Sequence, residues 1–420
     1  VNTALDKEAL HRATSVYLVD RVIPMLPRKL SNGICSLNQG EDRLALSCIM
    51  EIDEKGNIIG HNICESVINV NERMTYTAVN EVITDSNEDT KKRYAEYIDL
   101  FNDFKKVSDL LRGARTKRGS IDFDLPESKV ILDKNGKAVD IKPYDRNAAT
   151  KLIEDFMLAA NETVAEDFFW QDIPFLYRVH ENPDTEKMKS LAIFINNFGF
   201  TLRRKNDEVS PKELQKLLAN IEGSDAEPII SRIALRSMKQ ARYDTVCVGH
   251  FGLAAKYYTH FTSPIRRYPD LQIHRIIKEN IKKGLSSRRI EHYRTILDSV
   301  ALQSSQMERR AEEAERETVK YKKCEYMLNH IGEEFDGIIS GVTGFGIFVE
   351  LENTVEGFIK MADLEGDYFV YNEAGYGLVG EVTKKKFVLG QKVRVKVYDI
   401  DRLAKRIDFK LVKYKNGRGD

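Results

Sequence analysis

The feature that most constrains the fold is an abrupt change of pattern near His330. Before it, Ser286–Cys324 is one long, highly charged helical pattern in which Glu and Arg recur at four-residue spacing. After it, the chain reads as short strands interrupted by Gly341, Gly344 and Gly346. Short, glycine-broken strands of this kind fit a small five-stranded barrel. The sequence therefore predicts two domains of different fold class.

The length and the hydrophobic content of the chain agree with two domains. A chain of 420 residues with 42% hydrophobic residues can bury a large core. We predict a mixed α/β (α+β) domain over residues 1–329, an all-β domain over 330–412 and a short basic tail over 413–420. No apolar run is long enough to suggest a membrane span.

Charge and cysteine usage limit the classes of function. The 65 Lys and Arg residues balance the 65 Asp and Glu residues, so any nucleic-acid site must come from local charge, and a histone-like binder is excluded. The five cysteines form no CxxC pair and are an odd number, which argues against a disulfide framework or a zinc site. We therefore expect a reducing, cytoplasmic location.

The stretch from His250 to Arg275, HFGLAAKYYTHFTSPIRRYPDLQIHR, concentrates aromatic, histidine and arginine residues and is predicted to be the functional site. Helical spacing begins after Pro264, which suits a first helical turn. Arg266 and Arg267 would then lie near a helix N-terminus, where free N–H groups and the helix dipole favour a phosphate. The adjacent tyrosines suggest single-stranded nucleic acid. An alternative stays open here, in which the arginines pair with carboxylates and the tyrosines belong to the core.

Periodicity predicts the other elements of the first domain. Two hairpins are expected, over residues 45–70 with a turn at Glu54–Asn57 and over residues 121–144 with a turn at Asn135–Gly136. Helices are expected over Ala4–Val22, Lys91–Arg115, Ala148–Phe169, Pro183–Phe200 and Ile229–Gln240.

The residues from His250 to Ile277 resemble the signature of the ribonuclease II and ribonuclease R family of 3′-to-5′ exoribonucleases. A second match is ATSVYLVDRVIPMLPRKLSNGICSLNQGEDRLALSC near the N-terminus, and the final segment is similar to the OB-type RNA-binding barrel of ribosomal-protein S-one type. The resemblance covers nearly the whole chain, and the sequence resembles the ribonuclease R branch of the family more than the ribonuclease II branch. It implies a ribonuclease II-type catalytic domain followed by an OB barrel. It also implies processive hydrolysis of single-stranded RNA to nucleoside 5′-monophosphates.

The resemblance implies roles for residues near the cleaved bond. Arg266, in TSPIRRY, matches the arginine that contacts the scissile phosphate, and Arg267 is expected to be structural or a second phosphate contact. Tyr76, in RMTYTAV, matches a tyrosine that stacks near the cleaved nucleotide and influences the length of the end product. His250 and His274 bracket the motif and are expected to be core histidines with satisfied hydrogen bonds.

Three further residues match positions that hold the end of the RNA. Tyr17, in TSVYLV, matches a tyrosine that packs on the terminal nucleotides, and Phe123, in GSIDFDLP, matches the aromatic residue that clamps the last base. The residues alone would also allow either ring to be core. Glu154, in KLIEDFMLAANE, matches a glutamate that helps to hold the terminal nucleotide. Its apolar neighbours are predicted to bury it, and a buried carboxylate needs a partner or a function.

The barrel carries four aromatic residues that are candidates for stacking on RNA bases: Phe345, Phe348, Tyr368 and Phe369. Phe348 matches the surface aromatic residue of the family most closely. Each of the four could equally be core, although the glycines that flank Phe345 favour its exposure.

The resemblance implies hydrolysis with magnesium, an ion that carboxylate oxygens hold. In the family a compact aspartate cluster supplies these ligands, upstream of the part matched by LDKEALHRATSVY, and the cluster does not occur in this sequence. Asp122 and Asp124 are poor substitutes, so we expect no metal ligand here and little or no hydrolysis by this chain alone. The alternative is a non-catalytic RNA-binding protein or regulatory fragment. We expect single-stranded RNA as partner, no membrane association and a monomer.

Overall fold

Polar side chains start most of the helices. The computed structural model describes residues 1–122, 127–144, 146–224, 226–372 and 377–412. Its helices are α1 (Ala4–Arg12), α2 (Tyr76–Ile83), α3 (Glu88–Arg93), α4 (Ile98–Arg118), α5 (Ala148–Trp170), α6 (Thr185–Asn196), α7 (Pro211–Ile221), α8 (Glu227–Ser237), α9 (Tyr268–Lys283) and α10 (Ser287–Met327). Side-chain oxygens that cap first-turn N–H groups belong to Thr3, Thr75, Asn87, Asn147, Asp184, Ser210 and Ser286.

The strands form short antiparallel pairs in the larger part of the chain and a closed barrel after α10. They are β1 (Val16–Tyr17), β2 (Val22–Ile23), β3 (Asp42–Ile52), β4 (Ile58–Asn69), β5 (Ser128–Leu132), β6 (Ala138–Pro143), β7 (Tyr177–Val179), β8 (Arg242–Asp244), β9 (Glu334–Thr343), β10 (Gly346–Leu351), β11 (Glu356–Lys360), β12 (Phe369–Asn372), β13 (Gly377–Gly380), β14 (Lys386–Val388), β15 (Lys392–Asp401) and β16 (Arg406–Leu411). The barrel has the order β10-β11-β16-β15-β9. Its five strands confirm the predicted OB barrel beside a mixed α/β body.

Both predicted hairpins are confirmed. β3 pairs with β4 and β5 pairs with β6, each antiparallel. In the first turn, Asp53 accepts hydrogen bonds from the backbone N–H groups of Lys55 and Asn57. Gly56 has a φ of 81°, and a Cβ there would lie 2.3 Å from the carbonyl oxygen of Leu110 in α4. The turn therefore packs directly on a helix, at a position that only glycine allows.

The helix predicted over Ala4–Val22 is wrong beyond Arg12. Ala13 takes a left-handed conformation with a φ of 55°, and its N–H donates to the carbonyl of Ala9 as a helix cap. Val16 and Tyr17 then form β1, which pairs with β2. β-branched residues directly after the cap favour this extended path. The ring of Tyr17 is consequently presented from a strand.

The helix predicted over Lys91–Arg115 is two helices. α3 ends at Arg93, a 3₁₀ turn covers Ala95–Tyr97, and α4 begins at Ile98. The turn allows Tyr94 and Phe101 to enter one small core with Val82 of α2. Helical spacing continues across the break in the sequence, so periodicity alone did not reveal it.

α10 joins the body to the barrel. It has 41 residues, which corresponds to a length of about 60 Å. Leu297 and Val300, in its first half, belong to the core of the body, whereas Cys324 and Met327, at its end, belong to the core of the barrel. One continuous helix therefore takes part in both cores and fixes where the barrel sits.

A cleft lies between the barrel and the helices α7 and α8. Helix α8 carries Arg232, which donates to the carbonyl of Ser340 at 3.1 Å and to the Glu350 carboxylate at 2.6 Å, both in the barrel. The cleft next to this contact has a volume of about 1220 Å³. In the described ranges, no helix combines the length and apolar character needed to cross a membrane.

Candidate nucleic-acid site

The turn from Ser263 to Arg267 places Arg266 on the surface just before α9. The N–H groups of Arg266 and Arg267 donate to the carbonyl of Ser263 at 3.2 Å and 3.1 Å. The carbonyl of Arg266 accepts from the N–H of Ser15 at 2.9 Å. The side chain of Arg266 is exposed, and its guanidinium makes no hydrogen bond or ion pair within the described part of the chain. The backbone of Arg266 is therefore fixed while its charge remains free to meet an anion.

The predicted helix start was wrong by four residues. α9 begins at Tyr268, and Pro269, not Pro264, occupies its first turn. The N–H of Tyr268 donates to the carbonyl of Ala13 at 2.8 Å, and proline has no N–H. Neither of the first two helical residues therefore offers an N–H group to a phosphate. An anion bound at this place would depend on the guanidinium of Arg266 and on the helix dipole.

Arg267 points into the protein, so the expected structural role fits and an RNA contact does not. Its side chain is 12% exposed, and Nη2 donates to Oδ1 of Asp270 at 2.7 Å. Burial lowers and the Asp270 charge raises the pKa of Arg267, with a net rise. The same burial raises the pKa of Asp270, against the opposing effect of Arg267. The side chain of Arg267 is therefore buried and paired with Asp270, whereas that of Arg266 is exposed and has no ion-pair partner among the described residues.

Neutral histidines and tyrosines lie behind the turn. The hydroxyl of Tyr243 and Nδ1 of His260 are 2.8 Å apart, and burial beside Arg267 and Arg178 lowers the pKa of His260 far below its usual value. Burial and the nearby His180 lower the pKa of His250 to about 3. Both imidazoles are accordingly uncharged at neutral pH. This agrees with the prediction that His250 is a core histidine.

Tyr17 lies in the segment that is bonded to the arginine turn. It is 48% exposed, two residues after Ser15, whose N–H donates to the carbonyl of Arg266. The N–H of Tyr17 donates to the carboxylate of Glu315 on α10 at 2.6 Å. Tyr17 is thus not a core residue, and the structure places its segment directly beside Arg266.

Glu154 lies on α5 but is not buried as predicted. Its side chain is 41% exposed, and both carboxylate oxygens accept from Nη2 of Arg146, at 3.0 Å and 2.8 Å. Nη1 of Arg146 donates to Asp122 at 2.7 Å. Arg146 was not predicted, because nothing in its spacing links it to both carboxylates. Phe123 lies outside the described residues, next to Asp122.

α5 connects these residues to the central stretch. Asn161, two helical turns after Glu154, donates to the hydroxyl of Tyr258 at 3.3 Å and accepts from the N–H of Phe261 at 2.9 Å. α2 packs against α5, and Asn80 of α2 accepts from the N–H of Ala148 at 3.1 Å. Tyr76, the first residue of α2, is 52% exposed. Its ring is therefore available for stacking.

The barrel divides its aromatic candidates into exposed and buried residues. Phe345 is 81% exposed in the loop between β9 and β10, and Tyr368 is also exposed. Phe348 is half-buried on β10, with its ring centroid 4.8 Å from that of Phe358 on β11. Phe369 is buried and packs on Phe387, so of the two alternatives for this ring the structure shows the core one. Phe369 is the first residue of β12 and packs in the barrel core, whereas Tyr368 precedes the strand and stays exposed.

The described residues do not assemble a metal centre. In the ranges that the structure covers, no group of three or more His, Cys, Asp or Glu side chains could hold a metal ion. Asp122 is engaged by Arg146, and Asp124 lies outside the described residues. The side chains described here therefore do not match the carboxylate set that a magnesium ion requires.

Comparison with known proteins agrees with the fold and the motif. The family model described as RNB domain matches residues 1–283, and the model described as S1 RNA binding domain matches residues 329–411. The chain belongs to the RNB domain family, and its residues 329–411 form an S1 RNA binding domain.

The most similar proteins in these comparisons are named ribonuclease R. The chain is 45% identical over 408 residues to Ribonuclease R 1 of Lactococcus lactis and 44% identical over 414 residues to Ribonuclease R of Thermotoga maritima. These matches cover 97% and 98% of this chain, but only 50% and 58% of the relatives. The structure of Mycoplasma genitalium RNase R in complex with ribose methylated single-stranded RNA superposes with a TM-score of 0.90 at 29% identity, over 98% of this chain and 64% of that one.

The protonation of His274 gives a testable pH dependence. Burial lowers its pKa to about 4, and Nε2 lies 2.8 Å from the carbonyl oxygen of Phe261. Because the unfolded chain binds this proton near pH 6.5, stability should fall as pH drops from about 6.5 towards 4. Between pH 7 and pH 5 the free energy of unfolding should fall by about 2 kcal/mol because of this histidine.

Urea unfolding at the two pH values measures this loss, with His274→Gln as control. Glutamine keeps a hydrogen-bond donor for the Phe261 carbonyl and does not titrate. The free energy of unfolding of the variant should therefore fall by about 2 kcal/mol less than that of the wild type over the same pH interval. An equal loss in both proteins would show that His274 is not the titrating group.

Proposed function

We propose that this chain forms the RNA-binding and phosphate-contacting part of a 3′-to-5′ exoribonuclease. In this proposal single-stranded RNA is hydrolysed processively to nucleoside 5′-monophosphates, in the manner of ribonuclease R. The observation that carries it is Arg266, an exposed guanidinium without an ion-pair partner among the described residues, on a backbone held by hydrogen bonds at both of its polar atoms. The names of the relatives support the class of reaction.

Arg266 would stabilise the negative charge that develops on the scissile phosphate. A fixed cation contributes most when it needs no reorganisation during the reaction, and the anchored turn provides this. Tyr17 and Tyr76 offer exposed rings on which the last bases can stack. Glu154 would accept hydrogen bonds from the terminal ribose, with Arg146 holding its carboxylate. Phe123 is proposed, from the resemblance alone, to clamp the last base.

Magnesium is the proposed cofactor, and it would polarise the phosphate and activate water. The described residues offer no group that could hold it, so we assign none of them as a ligand and expect the ligands among residues outside those described. We also propose a cytoplasmic monomer, and the five free cysteines of the structure are consistent with a reducing compartment.

The second candidate is a non-catalytic RNA-binding protein. It is favoured by the same observation, that the described residues contain no cluster of His, Cys, Asp or Glu side chains that could hold a metal ion. The exposed aromatics and Arg266 would then bind RNA without cleavage. The two candidates differ in one observable, because only the first shortens RNA.

Arg266→Ala should lower turnover much more than RNA affinity. Loss of one preorganised charge from the transition state should reduce kcat by about 100-fold to 1,000-fold, whereas one contact among many is lost for binding. Single-turnover kinetics and equilibrium binding with the protein expressed from its complete gene separate the two quantities. Arg288→Ala, at an exposed arginine at the start of α10, is the control and should change neither. A large loss of affinity with normal turnover of bound RNA would refute the role of Arg266.

Phe345→Ala should weaken RNA binding through the barrel. Loss of one stacked base costs about 1–3 kcal/mol, which corresponds to a rise in Kd of about 5-fold to 150-fold. Leu403→Ala is the matched control, because Leu403 is also highly exposed, in the turn between β15 and β16. Titration of a labelled single strand measures both variants. An unchanged Kd for Phe345→Ala would remove this ring from the RNA path.

A further inference from the structure

Asp270 is a fully buried carboxylate next to the arginine turn, and the proposed function gives it no role. It lies in the first turn of α9 and is 0% exposed. Burying a carboxylate is costly unless it is paired, and apolar residues in place of a buried ion pair often leave stability unchanged or raise it. Stability alone therefore does not explain a carboxylate at this position.

The hydrogen bonds of Asp270 go to the turn that carries Arg266. Its Oδ1 accepts from the N–H of Ser263 at 2.7 Å and from Nη2 of Arg267 at 2.7 Å. The carbonyl of Ser263 accepts from the N–H groups of Arg266 and Arg267. One carboxylate oxygen thus holds the first and the last residue of the turn, and Arg266 lies between them.

The same contact separates the two adjacent positive charges. Asp270 draws the guanidinium of Arg267 into the protein, where it lies near Tyr243 and Tyr258, and leaves Arg266 as the outward cation. Oδ2 of Asp270 and Nε of Arg267 have no hydrogen-bond partner within the described residues. The two side chains are therefore joined by the contact from Nη2 to Oδ1, and the N–H of Ser263 donates to the same oxygen.

We propose that Asp270 is a positioning residue, which fixes the Ser263–Arg267 turn so that Arg266 meets the scissile phosphate in reactive geometry. This inference rests on the proposed function of Arg266. Asp270 is buried and does not touch RNA, so its effect passes through the turn. A displacement of about 1 Å in a reacting group can cost about 100-fold in rate. The expected signature is a loss of turnover without a loss of affinity.

The test is a double-mutant cycle in the protein expressed from its complete gene. Asp270→Asn should lower kcat on single-stranded RNA by about 10-fold to 100-fold and change Kd by less than about twofold. In an Arg266→Ala background, the same change should lower kcat by less than about threefold, because the residue it positions is gone. An equal loss in both backgrounds would overturn the inference.

Two further variants separate positioning from folding. Asp155→Asn removes a second buried carboxylate, which is paired with Arg112 and Arg115 away from the turn, and should lower the Tm but not kcat. The pair Arg267→Met with Asp270→Leu replaces the ion pair by apolar residues. Thermal unfolding should show that this double variant folds. Its kcat should nevertheless be at least about 10-fold lower than that of the wild type.

Wild-type kcat in the apolar double variant would overturn the inference. The proposed function fails separately: if Arg266→Ala keeps wild-type kcat, Arg266 is not the phosphate contact, whatever Asp270 does. If Arg266→Ala is slow and Asp270→Asn is not, only the positioning role is lost.

Discussion

A short backbone contact between residues 13–15 and residues 266–268 organises the candidate site. The carbonyl of Ala13 accepts from the N–H of Tyr268, and the N–H of Ser15 donates to the carbonyl of Arg266. These bonds require α1 to stop before Ala13, set the start of α9 and place Tyr17 two residues from the anchored segment. Because buried backbone groups must be paired, neither segment can shift without breaking the other. The geometry of Arg266 therefore depends on parts of the chain that are far apart in sequence.

The long helix α10 extends this dependence to the barrel. Near its middle, Glu308 pairs with Arg178 at 2.5 Å and Glu315 accepts from the N–H of Tyr17. At its end, Met327 is fully buried in the barrel core. The helix is thus buried in the body through its first half and in the barrel at its end. One continuous element therefore connects the part of the chain that carries the arginine turn with the barrel that carries the exposed aromatics.

Local signals allowed much of the fold to be predicted. The first hairpin has Asp53 and Gly56 in its turn and the second has Asp133 in its own, and α10 begins at the serine cap, as its spacing indicated. Two of the errors involve contacts that residue spacing does not reveal. Ala13, which caps α1, accepts from the N–H of Tyr268 at the start of α9, and Glu154 is partly exposed and pairs with Arg146, which lies outside α5. The sequence predicted Arg266 as the phosphate contact, but it did not show that Arg267 turns inward, since the contact of Arg267 with Asp270 forms only when the turn has folded.

The most direct test follows the two ends of one single-stranded RNA during digestion by the protein expressed from its complete gene, with magnesium. If the account is right, RNA labelled at its 5′ end will shorten step by step, and RNA labelled at its 3′ end will release labelled nucleoside 5′-monophosphate from the first time point. Internal fragments would contradict it by showing cleavage within the strand, and tight binding with both labels left at full length would contradict it and favour the non-catalytic candidate.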